Sequence, residues 1–321
     1  MNMEKKKIIK VLREYSENHN LQLYSLDWDD NILGMPTTIK MDKKVVGSKG
    51  KEKWQPIDVS TEEFAIIRSN PNYRPRNNDF QEAFIDFTLP DTFLNDTKKA
   101  IEKNQFSPSF NDLKKTLINA NPFAIITARG HSPKIIKQGV KIFIDIVLTD
   151  EEKVEMVKNI KKVFEREGDL EKIYKTKQLN SFEQFIDVYL RVKGRYYPVS
   201  SKEFGVKAML DSSKGASSPE YNKQLALRDF VYYIYNQVKK YIVDGTYKSI
   251  QVGFSDDDKK NVEGMIEYIQ NELTNEFPEI EFTVIDTSSG GKNKIKISGE
   301  KQDESESLLE NFIFNRIKKL L

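Results

Sequence analysis

The sequence predicts an α/β protein: a parallel β-sheet flanked by helices, with a large α+β insertion after the first strand motif. Short apolar runs of strand length recur along the chain, segments of helical period separate them, and acidic side chains follow two of the runs. Strands that alternate with helices are typical of parallel sheets. Such sheets bind ligands outside the carboxyl ends of their strands, so the acidic loops are the first candidates for a site.

Composition narrows the classes of function. The chain has 321 residues, with 51 Lys and Arg against 49 Asp and Glu, which argues against a strongly basic nucleic-acid sleeve. The absence of cysteine excludes disulfides, thiolate catalysis and zinc–thiolate sites. Two histidines, His19 and His131, are too few to favour a multi-histidine metal site. The N-terminus lacks the apolar core of a signal peptide and no apolar run has the length of a membrane span, so we expect a cytoplasmic protein without a membrane partner.

The first strand and its loop occupy residues 21–36, LQLYSLDWDDNILGMP. A helix is predicted before it, over residues 4–16. Asp27, Asp29 and Asp30 follow the apolar run at once. Like charges this close repel unless a cation or a shared proton relieves them, which favours a metal with oxygen ligands such as Mg²⁺. The alternative is a solvated turn, because Asp and Asn are common turn formers.

The next segment reads as an elaboration. TTIKMDKKVVGSKGKEKW predicts a hairpin, and Ser60 with Glu63 predicts a capping box at a helix start. SNPNYRPRNNDF predicts a loop, and FNDLKKTLINA predicts a helix. An aromatic-rich cluster is expected to pack in the core: Phe80, Phe84, Ile85 and Phe87.

A buried parallel strand is predicted at FAII, which ends in Thr127 and Arg129. Backbone N–H groups at such a strand-to-helix junction suit a phosphate. Pro133 begins the next helix, and Thr149 with Glu152 caps another. The following FEQFIDVYL and RYYPV read as strand or short helix.

The last part predicts a long helix from Ser218, with Lys223 near its start. Strands follow at residues 249–254 and at IEFTVID, and a turn with a short strand is predicted at SSGGKNKIKIS. The acidic run 256–258 follows the first of these strands and leads into a helix, and a closing amphipathic helix is expected over residues 300–321. The predicted organisation is then a core at 1–33, 122–170 and 217–321, an insertion at 34–121 and a second elaboration at 171–216.

These motifs in this order resemble the haloacid dehalogenase (HAD) superfamily of phosphotransferases. LYSLDWDDN is similar to its DxD motif, FAIITARG to its strand ending in Thr, and IQVGFSDDDKKNV to its acidic pair after a strand. Lys223 is the choice for its lysine motif, with Lys214 and Lys202 as competitors. The resemblance implies a HAD-like Rossmannoid sheet.

The resemblance also implies roles. Asp27 would attack phosphorus, and Asp29 would protonate the leaving oxygen and then activate water. Thr127 would bind a phosphoryl oxygen, and Lys223 would neutralise developing charge. Mg²⁺ would be held by carboxylates and by one backbone carbonyl. The implied metal ligands are Asp27, Asp29 through its carbonyl, Asp256 and Asp257.

Some positions depart from the family pattern or leave alternatives open. Asp30 stands where the family often has Gly, and Asn31 where Thr is common. Arg129 either binds substrate phosphate or anchors a loop through a salt bridge. His131 is expected to be structural, and Asp258 to be a solvated residue at a helix start.

The insertion segments GKEKWQPIDVSTEEFAIIR and FSPSFNDL are similar to HAD-like proteins of tailed, crAss-like bacteriophages, in which such a protein can be an auxiliary capsid component. Two functions stay open. One is a Mg²⁺-dependent phosphatase acting on a phosphorylated small molecule or a nucleic-acid end. The other is a non-enzymatic virion protein on a HAD-like scaffold, with capsid proteins as partners and the virion head as its location.

Overall fold

The computed structural model describes residues 20–47, 50–166, 181–205, 218–243, 247 and 249–297. The helices predicted over residues 4–16 and 300–321 lie outside the described residues, as does Lys214. No helix of the described part is both long and apolar enough to cross a membrane.

Nine strands of the described residues form two sheets. The strands are β1 (Leu21–Leu26), β2 (Ile39–Val46), β3 (Glu52–Val59), β4 (Tyr73–Pro75), β5 (Phe123–Thr127), β6 (Gly194–Pro198), β7 (Ile250–Asp256), β8 (Ile280–Asp286) and β9 (Asn293–Ile297). The larger sheet has the order β6-β5-β1-β7-β8-β9. Its pairings are parallel except for the antiparallel β8 and β9. The predicted α/β class with a mostly parallel sheet is confirmed.

Helices connect and cover these strands. They are α1 (Thr61–Ile67), α2 (Phe80–Ala83), α3 (Pro90–Glu102), α4 (Phe110–Ile118), α5 (Pro133–Val147), α6 (Asp150–Arg166), α7 (Phe182–Val192), α8 (Pro219–Val243), α9 (Lys259–Tyr268) and α10 (Thr274–Glu276). Short 3-10 turns occupy Arg76–Asn78 and Ile85–Phe87, and a π-helical turn at Ile269–Leu273 joins α9 to α10. Both predicted capping boxes are present, at Ser60 and at Thr149.

The large sheet is covered on both faces, which explains its continuous apolar strands. Successive side chains of β5 point to opposite faces. Phe123 and Ile125 pack in a core with α3 to α7, whereas Ala124 and Ile126 pack in a core with α8 and α9.

Two segments assigned to elaborations belong to the large sheet or its core. RYYPV, which the sequence leaves ambiguous, forms the edge strand β6 and pairs with β5. Helices α3 and α4 fall within residues 34–121 but pack on the large sheet. An amphipathic pattern shows that a helix buries one face, but not against which sheet it does so.

The small antiparallel sheet, with order β3-β2-β4, lies between β1 and α3 in the chain and has a core of its own. The predicted hairpin is its β2–β3 pair. The aromatic cluster only partly packs as expected. Phe87 is buried and Phe84 half-buried, but Phe80 is 67% exposed and Ile85 is 38% exposed. The expectation that all four are core residues is therefore wrong for Phe80 and Ile85.

Candidate active site

The predicted site residues meet at the carboxyl ends of three neighbouring strands. Asp27 directly follows β1, Thr127 ends β5, and Asp256 ends β7. Because β1 lies between β5 and β7, these three ends are adjacent. In an open α/β sheet, a ligand site is expected outside the carboxyl ends of the strands, at the point where the strand order reverses. Here that point lies at β1, between β5 and β7.

The loop after β1 is fixed by a buried tryptophan between the two aspartates. The Trp28 side chain is fully buried and its ring lies 5.5 Å from the Phe93 ring. Asp30 has a φ of 51°, a left-handed conformation that Asp tolerates better than most residues and that Gly adopts freely. A left-handed backbone at this position suits Gly, the residue that the DxD motif of the resembled family often has there. Asp can adopt the same conformation, so Asp30 is compatible with this loop.

Asn31 joins the ends of three strands. Its side-chain amide donates to the carbonyls of Asp27 and Ser255 at 3.1 and 3.2 Å. Its oxygen accepts hydrogen bonds from the hydroxyls of Ser255 and Thr287, both at 2.9 Å. A threonine has no second donor of this kind, so the departure at Asn31 has a structural role in holding β1, β7 and the end of β8 together.

Three carboxylates and one lysine form a buried charge cluster. Oxygens of Asp27, Asp256 and Asp257 lie within 4.8 Å of one another. The Lys223 ammonium lies 2.6 Å from Asp256 Oδ2 and 3.4 Å from Asp27 Oδ2. Lys223 is 2% exposed, whereas its competitor Lys202 is exposed. The second oxygen of Asp256 accepts from the Asp258 N–H and the Asn261 amide.

The electrostatics of the cluster favour a bound cation. Burial raises the pKa of Asp27; Lys223 opposes this rise, and Asp256 and Asp29 add to it. Burial also raises the pKa of Asp257, with Asp27 and Asp256 contributing. For Lys223, burial acts to lower the pKa, but Asp256 and Asp27 outweigh it and raise it. One lysine cannot neutralise three carboxylates, so the carboxylates repel one another when all of them are ionised.

The residues present fit a divalent cation such as Mg²⁺. All three carboxylates supply the oxygen ligands that Mg²⁺ prefers. Asp27 Oδ1 is buried and has no hydrogen-bond partner among the residues that the structure describes, so it can take a ligand. The carboxylate of Asp29 is not part of this cluster. Coordination through the Asp29 carbonyl stays a prediction; that carbonyl accepts the Asn31 N–H at 2.5 Å.

Asp29 forms a buried ion pair with Arg129. Arg129 Nε donates to Asp29 Oδ2 at 2.8 Å and Nη2 donates to Oδ1 at 2.6 Å. Nη2 also donates to the Thr37 hydroxyl, and Nη1 is buried without a partner. The guanidinium carbon lies 4.7 Å from the Phe87 ring centre. Of the two roles open for Arg129, the loop anchor is thus present in the structure.

Thr127 and His131 lie beside this pair. The Thr127 hydroxyl is 3.5 Å from Asp29 Oδ2 and accepts the Arg129 N–H at 3.4 Å. The His131 ring bonds the Leu89 carbonyl at 3.0 Å, and burial lowers its pKa to about 4. A neutral histidine held by the backbone agrees with a structural role.

The inserted segment covers the site. Arg68, which directly follows α1, forms a double contact with Asp258, and Asp258 also caps α9 through the Lys260 N–H. The Thr61 hydroxyl donates to Asp30. Asp258 is thus half-buried in an ion pair as well as placed at a helix start. No local pattern predicts the Arg68 contact, because its partners are 190 residues apart.

A cavity of about 570 Å³ lies between the insertion and the charge cluster. Its floor includes Asp27, Thr127, Arg129 and Lys223. Phenylalanine side chains of the inserted segment also line it and are called the phenylalanine wall: Phe64, Phe80, Phe84 and Phe87. A cavity of this size suits a small-molecule ligand whose reacting group faces the carboxylates.

We predict that Mg²⁺ raises the melting temperature by at least about 5 °C at saturation, and that the rise grows with pH. Because the folded-state pKa values of Asp27 and Asp257 are raised, the stability they contribute is fully present below the ordinary value of 3.8 and is lost as pH increases. The metal binds the ionised carboxylates and offsets that loss.

Thermal unfolding with and without Mg²⁺, from pH 3.8 to about pH 9, measures the effect. Asp257→Asn should lower the Mg²⁺-induced shift, whereas Asp258→Asn, which keeps a capping side chain, should not. A shift that is the same at every pH, or that Asp257→Asn leaves intact, would contradict the assignment.

No protein-family model, curated protein sequence or solved structure matches this chain. The functional assignment therefore depends on the geometry of the site and on the motif resemblance.

Proposed function

We propose that this protein is a HAD-like, Mg²⁺-dependent phosphohydrolase that cleaves a phosphomonoester through a phosphoaspartate at Asp27. One observation carries the proposal: Asp27 lies with Asp256, Asp257 and Lys223 in a buried cluster at the ends of adjacent parallel strands. A nucleophilic carboxylate needs neighbouring positive charge when it approaches a phosphate dianion. The cluster supplies Lys223 and a set of oxygens suited to a cation.

In the proposed reaction, an oxygen of Asp27 forms a bond to phosphorus as the bond to the leaving oxygen breaks. Water then attacks phosphorus, and phosphate leaves as the Asp27 carboxylate is regenerated. When bound between Asp27, Asp256 and Asp257, Mg²⁺ would offset the negative charge between nucleophile and phosphate.

The other residues hold the phosphoryl group and the loop. Lys223 keeps Asp27 in place and neutralises charge that develops on phosphorus. The Thr127 hydroxyl lies on the cavity floor, where it can donate to a phosphoryl oxygen. Arg129 also lines the cavity, and its Nη1, which has no hydrogen-bond partner among the described residues, offers a second donor.

Asp29 is less free than the motif implies. Both of its oxygens accept hydrogen bonds from the buried Arg129, so protonating it would leave that guanidinium without its counter-charge. The ion pair with Arg129 therefore opposes both implied roles of Asp29, because this residue must carry a proton before it protonates the leaving oxygen and again after it takes one from water.

The test is phosphate release from a generic aryl phosphate by the wild-type protein, with Mg²⁺ or with a chelator. We expect turnover that requires the metal. No turnover in folded, Mg²⁺-bound protein would overturn the proposal, and the cluster would then be a structural cation site, as the virion-component hypothesis requires.

Lys223→Met should lower kcat by about 10²–10³-fold, because the phosphoryl charge loses its buried counter-charge. The same change should tighten Mg²⁺ binding, since the three carboxylates would have lost their only cationic partner in the described cluster. Steady-state kinetics and calorimetric Mg²⁺ titration measure the two effects, with the exposed Lys202→Met as the matched control. Weaker Mg²⁺ binding in Lys223→Met would show that Lys223 positions the carboxylates for the metal rather than competing with it as a cation.

A further inference from the structure

We infer that the substrate is the phosphate monoester of an aromatic alcohol, whose ring occupies the phenylalanine wall of the cavity. This inference rests on the proposed function and names its substrate class. Three features of the described residues carry it: the lining of the cavity, its charge balance and the engagement of Asp29.

Four phenylalanines of the inserted segment line the cavity and contact one another. Phe84 packs edge-on against Phe64 and Phe87, with ring centres 5.2 and 5.8 Å away, and nearly parallel to Phe80 at 6.5 Å. Phe80 is 67% exposed although it lines the cavity. Phe80 continues the contiguous aromatic surface of Phe64 and Phe84, and contiguous exposed apolar surface rimmed by polar residues is typical of ligand-binding grooves. A ligand ring there gains apolar burial and ring contacts.

The charge balance disfavours a polyanion. The described residues that line the cavity include three cations, and each is already in an ion pair: Arg68 with Asp258, Arg129 with Asp29, and Lys223 with Asp27 and Asp256. Glu220 and Asp257 add further negative charge to the lining. A nucleic-acid end brings phosphates beyond the reacting one, and in the described lining they would meet no uncommitted cation.

The engagement of Asp29 favours a phenolic leaving group. An alkyl alcohol is about as weakly acidic as water and needs protonation as it leaves. A phenol, with a pKa of about 10 as in tyrosine, can leave with little help. Because Arg129 occupies both oxygens of Asp29, we expect the site to cleave esters fastest when the leaving group is a phenolate, which does not need a proton from Asp29.

In the reaction, an Asp27 oxygen bonds to phosphorus and the aryl C–O–P ester loses its P–O bond. The electron pair leaves on the phenolate oxygen, which takes a proton from solvent. The hydrolytic water then supplies the oxygen of the released phosphate and restores Asp27.

The binding arm of the test uses phosphonates, whose C–P bond is not hydrolysed. With Mg²⁺, wild-type protein should bind 1-naphthylmethylphosphonate at least about tenfold more tightly than methylphosphonate in calorimetry. Phe80→Ala should lower that ratio about fivefold or more. Ile66→Ala, which removes another exposed apolar side chain from the same insertion but outside the cavity, should leave the ratio unchanged.

The turnover arm compares phenyl phosphate with benzyl phosphate, which carry similar rings but phenolic and alkyl leaving groups. We expect kcat for phenyl phosphate to be at least about 10²-fold higher. Equal phosphonate affinities, or a ratio that Phe80→Ala leaves intact, would overturn the aromatic-wall inference. Equal kcat values would overturn the leaving-group part. Absence of turnover with both esters alongside preferential naphthyl binding would refute the hydrolase proposal while supporting the ligand class.

Discussion

Asp27→Asn should lower phosphate release by at least about 10³-fold while the protein stays folded. An amide has nearly the same shape as the carboxylate but is a poor nucleophile, so the phosphoaspartate cannot form. The substitution also removes one negative charge from a cluster in which burial already raises the pKa of Asp27. We therefore expect the melting temperature without Mg²⁺ to be unchanged or higher.

Asp30→Asn is the matched control for Asp27→Asn. It makes the same chemical change three residues further along the same loop, at a side chain that contacts the Thr61 hydroxyl and lies outside the cluster of Asp27, Asp256 and Asp257. An asparagine tolerates the left-handed backbone at this position and can accept the same hydrogen bond. Burial raises the pKa of Asp30 to about 6, so the change removes a charge that burial already disfavours. Asp30→Asn should retain most of the activity, and equal loss in both variants would mean that loop charge, not nucleophilicity, had been lost.

Arg129→Met should lower the free energy of unfolding by about 3–5 kcal/mol at neutral pH. The guanidinium is fully buried and bonds both oxygens of Asp29, so its removal leaves an uncompensated buried carboxylate. It also leaves Thr37 without one of its partners. Denaturant unfolding measures the change.

Arg68→Met is the control for the effect of burial. Arg68 makes a contact of similar geometry to Asp258, but the two side chains are 22% and 21% exposed. Such a pair contributes about 1 kcal/mol or less, because water already screens it. The double variant Asp29→Asn, Arg129→Met should be less destabilised than Arg129→Met alone, since no charge is then left buried. If Arg68→Met and Arg129→Met lower the free energy of unfolding equally, burial does not make the Arg129–Asp29 pair more important for stability than the Arg68–Asp258 pair.

Local patterns predict the strands that carry the site. The apolar runs before Asp27, Asp256 and Thr127 are strands, although β7 runs to Asp256 rather than ending at Phe254 as predicted. Burial on both faces of a parallel sheet forces these runs to be apolar throughout, so they stand out from the amphipathic helices. The order of polar side chains after the strands then indicates which loops share an edge. Choosing Lys223 among three lysines needed the family pattern, and in the structure it lies against two of the carboxylates.

Long-range partners could not be predicted in this way. Arg129 and Asp29 are 100 residues apart, and Arg68 and Asp258 are 190 apart. The run at β6 is short and contains tyrosines, so its period fits a strand or a helix equally. The sequence predicts that Phe80 is a core residue because it stands in an aromatic-rich cluster. Its exposure depends on which parts of the fold cover it, and the sequence does not show that its ring borders a cavity.

The most direct test of the central claim is acid-quenched covalent labelling. Wild-type protein is mixed with Mg²⁺ and an aryl phosphate carrying labelled phosphorus, quenched in acid and digested for mass spectrometry. The account predicts a hydroxylamine-sensitive phosphoryl group on the peptide that contains Asp27, and none in Asp27→Asn. Turnover without a label, or a label on another residue that persists in Asp27→Asn, would contradict it.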